Sequence, residues 1–202
     1  MSSADLSPVE LRIEGEADRP AVRDVIVQAF GDHGPVVAEL VDSLRRSTAW
    51  EGFAFVAEDG DGLIGHVMFT RSLLDAPRRL VGVQVLSPLA VQPARQRQGI
   101  GSHLVRHGLA ALAARGDPLV FLEGSLGYYA RFGFERASHH GFRSPSLRIP
   151  EPAFQVLRLP ACRSWMTGTL VYPEPFWQHD CVGLRKPPVA DRADEAGREE
   201  PA

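Results

Sequence analysis

The chain has 202 residues, 44% of them hydrophobic and 23% charged, which suits one domain of ordinary size, alone or with extensions, and a sizeable core. A net charge of −3 gives no bulk attraction to nucleic acid or to an anionic membrane, and no stretch approaches the roughly 18 apolar residues of a membrane span. Cys162 and Cys181 are too few for a metal framework, and "MSSADLSPVELRIEG" has no apolar signal-peptide core. Free thiols in a soluble, cytoplasmic protein without a bound metal are therefore the expectation.

In chain order, residues 1–8 read as a flexible N-terminus and "LRIEG" (residues 11–15) as a short first strand. Asp18 then caps a helix through "RPAVRDVIVQAF", where Val22, Val25, Ile26 and Phe30 share a face and Pro20 sits near the first turn. A second helix, from about Pro35 to Arg46, carries Val37, Leu40, Val41 and Leu44 at helical spacing. "FAFVAED" and "GLIGHVMFTRSLL" flank "DGDG" (Asp59 to Gly62), a hairpin-turn signal. "LVGVQVLSPLAV" is a fourth strand ending at Val91. Its Pro88 cannot donate to a ladder and marks an edge or a bulge.

A helix opened by two glycines follows, with Leu104, Val105, Leu109 and Leu112 as its core face. "PLVFLEG" reads as a buried strand, "GYYARFGF" as a short helix stopped by Gly133, and "FQVLRL" and "GTLVY" as later strands. Residues 185–202, charged and nearly free of large apolar groups, read as a disordered tail. The order gives one mixed α/β sheet within a single domain over residues 9–184.

If the fourth strand ends at Val91 and the next helix begins near Gly99, "QPARQRQGIG" (residues 92–101) is the loop between them. The first N–H groups of a helix lack internal partners and carry the positive end of its dipole. Gly99 and Gly101 let that backbone approach an anion closely, Arg95 and Arg97 add charge, and Ser102 adds a hydroxyl donor. Taken alone, the same residues also make an ordinary glycine turn with exposed arginines. A Walker lysine and a third glycine at dinucleotide-fold spacing are both missing.

"LSPLAVQPARQRQGIGSHLV" (residues 86–105) resembles the coenzyme A signature of the GNAT N-acetyltransferases, Gln/Arg-x-x-Gly-x-Gly/Ala, with Gln96, Gly99 and Gly101 at the matching positions. Downstream, "YYARFGF" (residues 128–134) resembles the family's F/Y-Y-x-x-x-G-F motif, and with "LEGSLGYYARFGF" and "GTLVYPEPF" the chain looks like the YhbS-type branch. The resemblance covers roughly residues 9–184 and is strongest from 86 to 136.

It implies a GNAT acyl-CoA acyltransferase fold in which the fourth and fifth strands splay apart around a pantetheine arm. The cosubstrate implied is acetyl-CoA, and the reaction is direct attack by a primary amine in a ternary complex. Backbone groups of Leu89 and Val91 would pair with the pantetheine amides, and the Leu89 N–H would face the thioester oxygen, where it stabilises the oxyanion. Gln96, Arg97, Gln98, Gly99, Gly101 and Ser102 would hold the pyrophosphate.

Tyr129 occupies the family's usual acid position, where a phenol protonated at neutral pH donates to the departing thiolate. Tyr128 beside it is assigned to the core. Glu123, at the end of the fifth strand, is the candidate base for the amine, with His66 as the alternative. Family members often place an Asn shortly before the tyrosine; here the segment is "EGSLG", with Ser125 as its polar side chain.

Acceptor specificity is expected from "GDHGP" (residues 31–35), the strand-end loops and "PEPFWQHD" (residues 173–180); these segments hold Asp32, His33, Trp177, His179 and Asp180. A small-molecule amine and a protein amine both fit, as do a monomer and a homodimer. The alternative to an enzyme is a GNAT-like module that binds or senses acyl-CoA without turnover.

Overall fold

Two apolar runs flank the "DGDG" turn, and their antiparallel pairing builds the sheet's first long hairpin. The computed structural model of the chain describes residues 9–183 and 185; apart from Arg185, the expected flexible N-terminus and disordered tail lie outside the described residues. Among them the strands are β1 (Glu10–Ile13), β2 (Ala54–Asp59), β3 (Gly62–Asp75), β4 (Leu80–Val91), β5 (Leu119–Glu123), β6 (Glu135–Arg136), β7 (Phe142–Arg143), β8 (Phe154–Arg158) and β9 (Gly168–Val171). They form one mixed sheet in the order β1-β2-β3-β4-β5-β8-β6. β9 pairs with the far end of β3, and β7 pairs with β9.

Helices α1 (Arg19–Phe30) and α2 (Gly34–Arg46) cover one face, and α3 (Ile100–Arg115) covers the other. Two buried clusters follow from this arrangement. Val25, Ile26, Leu40 and Leu44 pack with Met68, Val85 and Phe121, whereas Leu104, Val105 and Leu112 pack with Phe69, Val120 and Leu122. The short α4 (Leu126–Tyr129) runs into a single 3-10 turn that Gly133 stops at φ 89°, as expected. β6, β7 and α5 (Glu174–Gln178) were not legible, because two to five residues are too few for a period to register.

Two local expectations are corrected. The Asp18 side chain does not cap α1. Asp18 is already in helical conformation, at the end of a 3-10 turn over Glu16–Asp18, and capping requires an extended residue. Its carboxylate turns back to Arg12, at 2.6 and 2.9 Å, and to the Gly15 N–H at 2.7 Å. Phe30 does not belong to the buried face: it is 36% exposed, where α1 runs out into the turn.

α3 lies close on the sheet because Gly108 has no side chain. A Cβ there would fall 2.2 Å from the Phe69 ring. Gly108→Ala is therefore expected to destabilise the fold by about 1–3 kcal/mol in urea denaturation, despite alanine's better helix propensity. An unchanged or raised midpoint would contradict that packing.

Candidate active site

β4 and β5 pair in parallel only at Gln84–Val120 and Val85–Phe121. Beyond those pairs β4 continues to Val91 along β3 and β5 to Glu123 along β8, but the two no longer pair with each other, so the sheet opens between them. The cause lies in β4. Phe69 of β3 is in register with Leu86 and Val67 with Leu89, so Ser87 and Pro88 together stand opposite the single residue Met68. This is a bulge, at the proline that the sequence marked, and the Ser87–Pro88 peptide is cis.

At the wide end of the split, the chain leaves Val91, passes through a 3-10 turn at Pro93–Arg95 and enters α3. Arg97 (φ 62°) and Gly99 (φ 88°) are both left-handed, which curls the loop into the first turn of the helix. The first helical bond runs from the His103 N–H to the Gly99 carbonyl at 3.0 Å. The amides of Gly99, Ile100, Gly101 and Ser102 donate to no described residue. They are the free donors of a helix of 16 residues, presented at the mouth of the split.

The loop's side chains divide into two sets. Gln96 donates to the Val91 carbonyl at 3.1 Å and Gln98 to the Ala94 carbonyl at 3.2 Å, so both brace the loop. Arg95 does not add free charge, contrary to expectation: Asp59 and Asp61 in the β2–β3 turn hold it at 2.7 and 2.9 Å. Arg97 is exposed and makes no ion pair with a described residue.

Tyr129 approaches the split from the α3 side. Its ring packs edge-on to Tyr128 and Phe134, with centroids 4.9 and 5.8 Å away, and joins the cluster that includes Leu89 and Val91. Gly124 leaves the room for it, since a Cβ there would lie 2.6 Å from the ring. Burial pushes the Tyr129 phenol well above its ordinary value of 10.0, so it is protonated at neutral pH.

Glu123 approaches from the opposite face. Val120 and Leu122 point to α3 and Phe121 to α1 and α2, and Glu123 continues the alternation to the latter side. There the Tyr172 hydroxyl donates to its Oε1 at 2.9 Å and the Gly183 N–H to its Oε2 at 3.2 Å. Burial raises the Glu123 carboxyl above its ordinary 4.5, although both hydrogen bonds and the nearby Arg148 oppose the rise. Tyr172 and Gly183 are neighbours of Glu123 that sequence reasoning missed; "GTLVYPEPF" contains Tyr172, and no sequence signal pointed to Gly183.

His66 is not available as a base. It is wholly buried on β3, and its Nε2 lies 2.9 Å from Glu14 Oε2. Tyr128 is likewise not a core residue: it is half-buried, with its hydroxyl beside Gly101. Of the candidate acceptor residues, His179 bonds Ser43 at 2.8 Å and Asp180 pairs with Arg148 and Arg185 at 2.6 and 2.7 Å. Trp177 is exposed, and Asp32 and His33 lie in the exposed turn between α1 and α2. A cavity of about 800 Å³, lined by Ser43, Arg46, Ser72, Tyr172 and Glu174, lies beneath α2 and α5 instead of at the split. Cys162 and Cys181 are free thiols, and no helix among the described residues is long and apolar enough to cross a membrane.

Comparison with known proteins agrees with this geometry. The Acetyltransferase (GNAT) domain model matches residues 10–137. The uncharacterized N-acetyltransferase YhbS of Escherichia coli strain K12 is 35% identical over 173 residues, covering 82% of this chain and 97% of that protein. The uncharacterized N-acetyltransferase YjhQ of the same strain is 34% identical over 141 residues, 69% of this chain and 76% of YjhQ. Among solved structures, Escherichia coli YhbS in complex with CoA superposes with a TM-score of 0.76 at 31% identity, covering 87% of this chain and 95% of that one. A GNAT family acetyltransferase from Brucella melitensis in complex with acetyl-CoA gives 0.68 at 31% identity, covering 84% and 99%. A broken fourth strand, a glycine-opened helix and a tyrosine on the helix after β5 are thus found in a chain that belongs to the GNAT N-acetyltransferase family.

Proposed function

We propose that the protein transfers an acetyl group from acetyl-CoA to a primary amine, carried by a small molecule or a protein, by direct attack within a ternary complex. The observation that carries this reading is the continuity of the β4–β5 split with the four free amides at Gly99–Ser102. An extended pantetheine arm fits a slot that has lost its strand partner, and a diphosphate fits unpaired amides at the positive end of a helix dipole. The solved relatives with CoA and acetyl-CoA support the choice of ligand.

The chain's own residues then divide the work. Backbone groups of Leu89 and Val91 hold the arm along the free edge of β4, and the Leu89 N–H stabilises the charge that develops on the thioester oxygen. The loop Gln96–Ser102 holds the diphosphate. As the amine nitrogen bonds to the acetyl carbon and the C–S bond breaks, Tyr129 gives its proton to the departing sulfur. Glu123 takes the proton lost by the amine, directly or through water. Each of its oxygens accepts one hydrogen bond here and keeps a lone pair for that purpose.

Titration calorimetry with acetyl-CoA, followed by thiol release with a panel of amines, tests the reading. Saturable binding together with thiol release from at least one amine is expected. An absence of binding overturns the cofactor assignment. Binding without release from any amine favours the alternative, a non-catalytic acyl-CoA-binding module. Once an acceptor is known, kcat/KM should rise with pH through an acid limb lying above 4.5, because the raised Glu123 carboxyl must ionise before it can accept a proton. Glu123→Gln should remove that limb; an unaltered profile would assign the base elsewhere.

A further inference from the structure

The neighbour of the proposed acid has a place of its own. α4 presents Tyr128 and Tyr129 in different directions: Tyr129 into the cluster beneath α3, Tyr128 across the gap towards the first turn of α3. A Cβ on Gly101 would lie 2.9 Å from the Tyr128 hydroxyl, 3.6 Å from Val91 Cγ2 and 3.7 Å from Leu89 Cδ2. The hydroxyl therefore stands against backbone whose amide is unpaired, at the point where β4, α3 and α4 converge. It makes no hydrogen bond with a described residue.

The ring is held in that direction by edge contacts with Tyr129 and Phe132, with centroids 4.9 and 5.6 Å away. The Arg131 guanidinium lies over it, 4.8 Å from its centroid, and makes no ion pair with a described residue. The Tyr128 hydroxyl on α4 thus faces the first turn of α3, and the Arg131 cation, from the 3-10 turn that follows α4, lies on its ring. That combination suits an anion held between the two helices, since hydrogen bonds to charged groups are the strong ones.

We propose that Tyr128 is a cofactor-binding residue whose hydroxyl donates to the diphosphate of the acyl-CoA, with Arg131 on its ring adding positive charge beside it. The proposal rests on the cofactor reading above. It also gives Gly101 a second purpose, because the missing Cβ is what lets the tyrosine reach the loop.

The test is calorimetry with acetyl-CoA on the wild-type chain and on Tyr128→Phe, joined to phosphorus NMR of bound coenzyme A. Phenylalanine keeps the ring contacts, so the fold should hold. The expected result is a Kd raised about tenfold or more in the variant, with the diphosphate resonances of the bound ligand shifted and that of the 3′-phosphate unmoved. A Kd equal to wild type overturns the proposal. So does weaker binding with unshifted diphosphate resonances, which would mean that only ring packing had changed. If the wild-type chain itself binds no acetyl-CoA, the cofactor reading fails, and the proposal with it. That outcome is distinct from a variant that binds as wild type does.

Discussion

Tyr129→Phe should lower kcat by about 10²- to 10⁴-fold, the range for losing a positioned proton donor, while the Kd for acetyl-CoA stays within about twofold. The phenol is buried among Tyr128, Phe132 and Phe134, and that burial keeps it protonated across the whole neutral range. Phenylalanine preserves the packing and removes only the proton. A matched loss in acetyl-CoA affinity would show that the hydroxyl binds and does not transfer a proton. Unchanged turnover would remove Tyr129 from the chemistry altogether. Steady-state kinetics with calorimetry on the same preparation separates these outcomes.

The second large effect concerns stability. Glu14, Arg45 and His66 meet under α2, and the side chains of Glu14 and Arg45 are each only 3% exposed. Asp42 reaches Arg45 at 3.0 Å from the partly exposed side. Glu14→Ala leaves a buried guanidinium without its main partner and His66 without an acceptor, which should cost about 3–5 kcal/mol in chemical denaturation. A loss below about 1 kcal/mol would mean that water or Asp42 compensates.

The same trio makes stability depend on pH. Burial pushes His66 below its ordinary 6.5, and the Glu14 contact only partly offsets this. The unfolded chain therefore takes up a proton at this histidine before the folded one does. The associated stability is present above about pH 6.5 and is lost as pH falls towards the depressed folded value. Denaturation midpoints at pH 5, 6 and 7 should show a shallower acid-side loss in His66→Gln than in wild type.

What the sequence made legible follows from range. The strands on either side of the "DGDG" turn, the turn itself, Pro88 and the two glycines are local signals, and each is realised where it was read. The two motifs, at residues 96–101 and 128–134, carried the resemblance to the family. The opposite face was less legible because its contacts are distant in sequence. Tyr172 meets Glu123 across 49 residues and Gly183 meets it across 60. Nothing near Glu14 announced Arg45 or His66 as its partners. Tyr128 was misplaced for a different reason: in a helix of four residues no periodicity tells which of two adjacent tyrosines faces inward.

The central claim is that the split and the amides after it hold the cofactor. Hydrogen–deuterium exchange with and without saturating acetyl-CoA tests it most directly. Slowed exchange is predicted at Leu89, Val91 and the amides from Gln98 to Ser102, with the hairpin of β2 and β3 unchanged. Saturable binding with no protection in that loop, and protection at another part of the sheet instead, would contradict it.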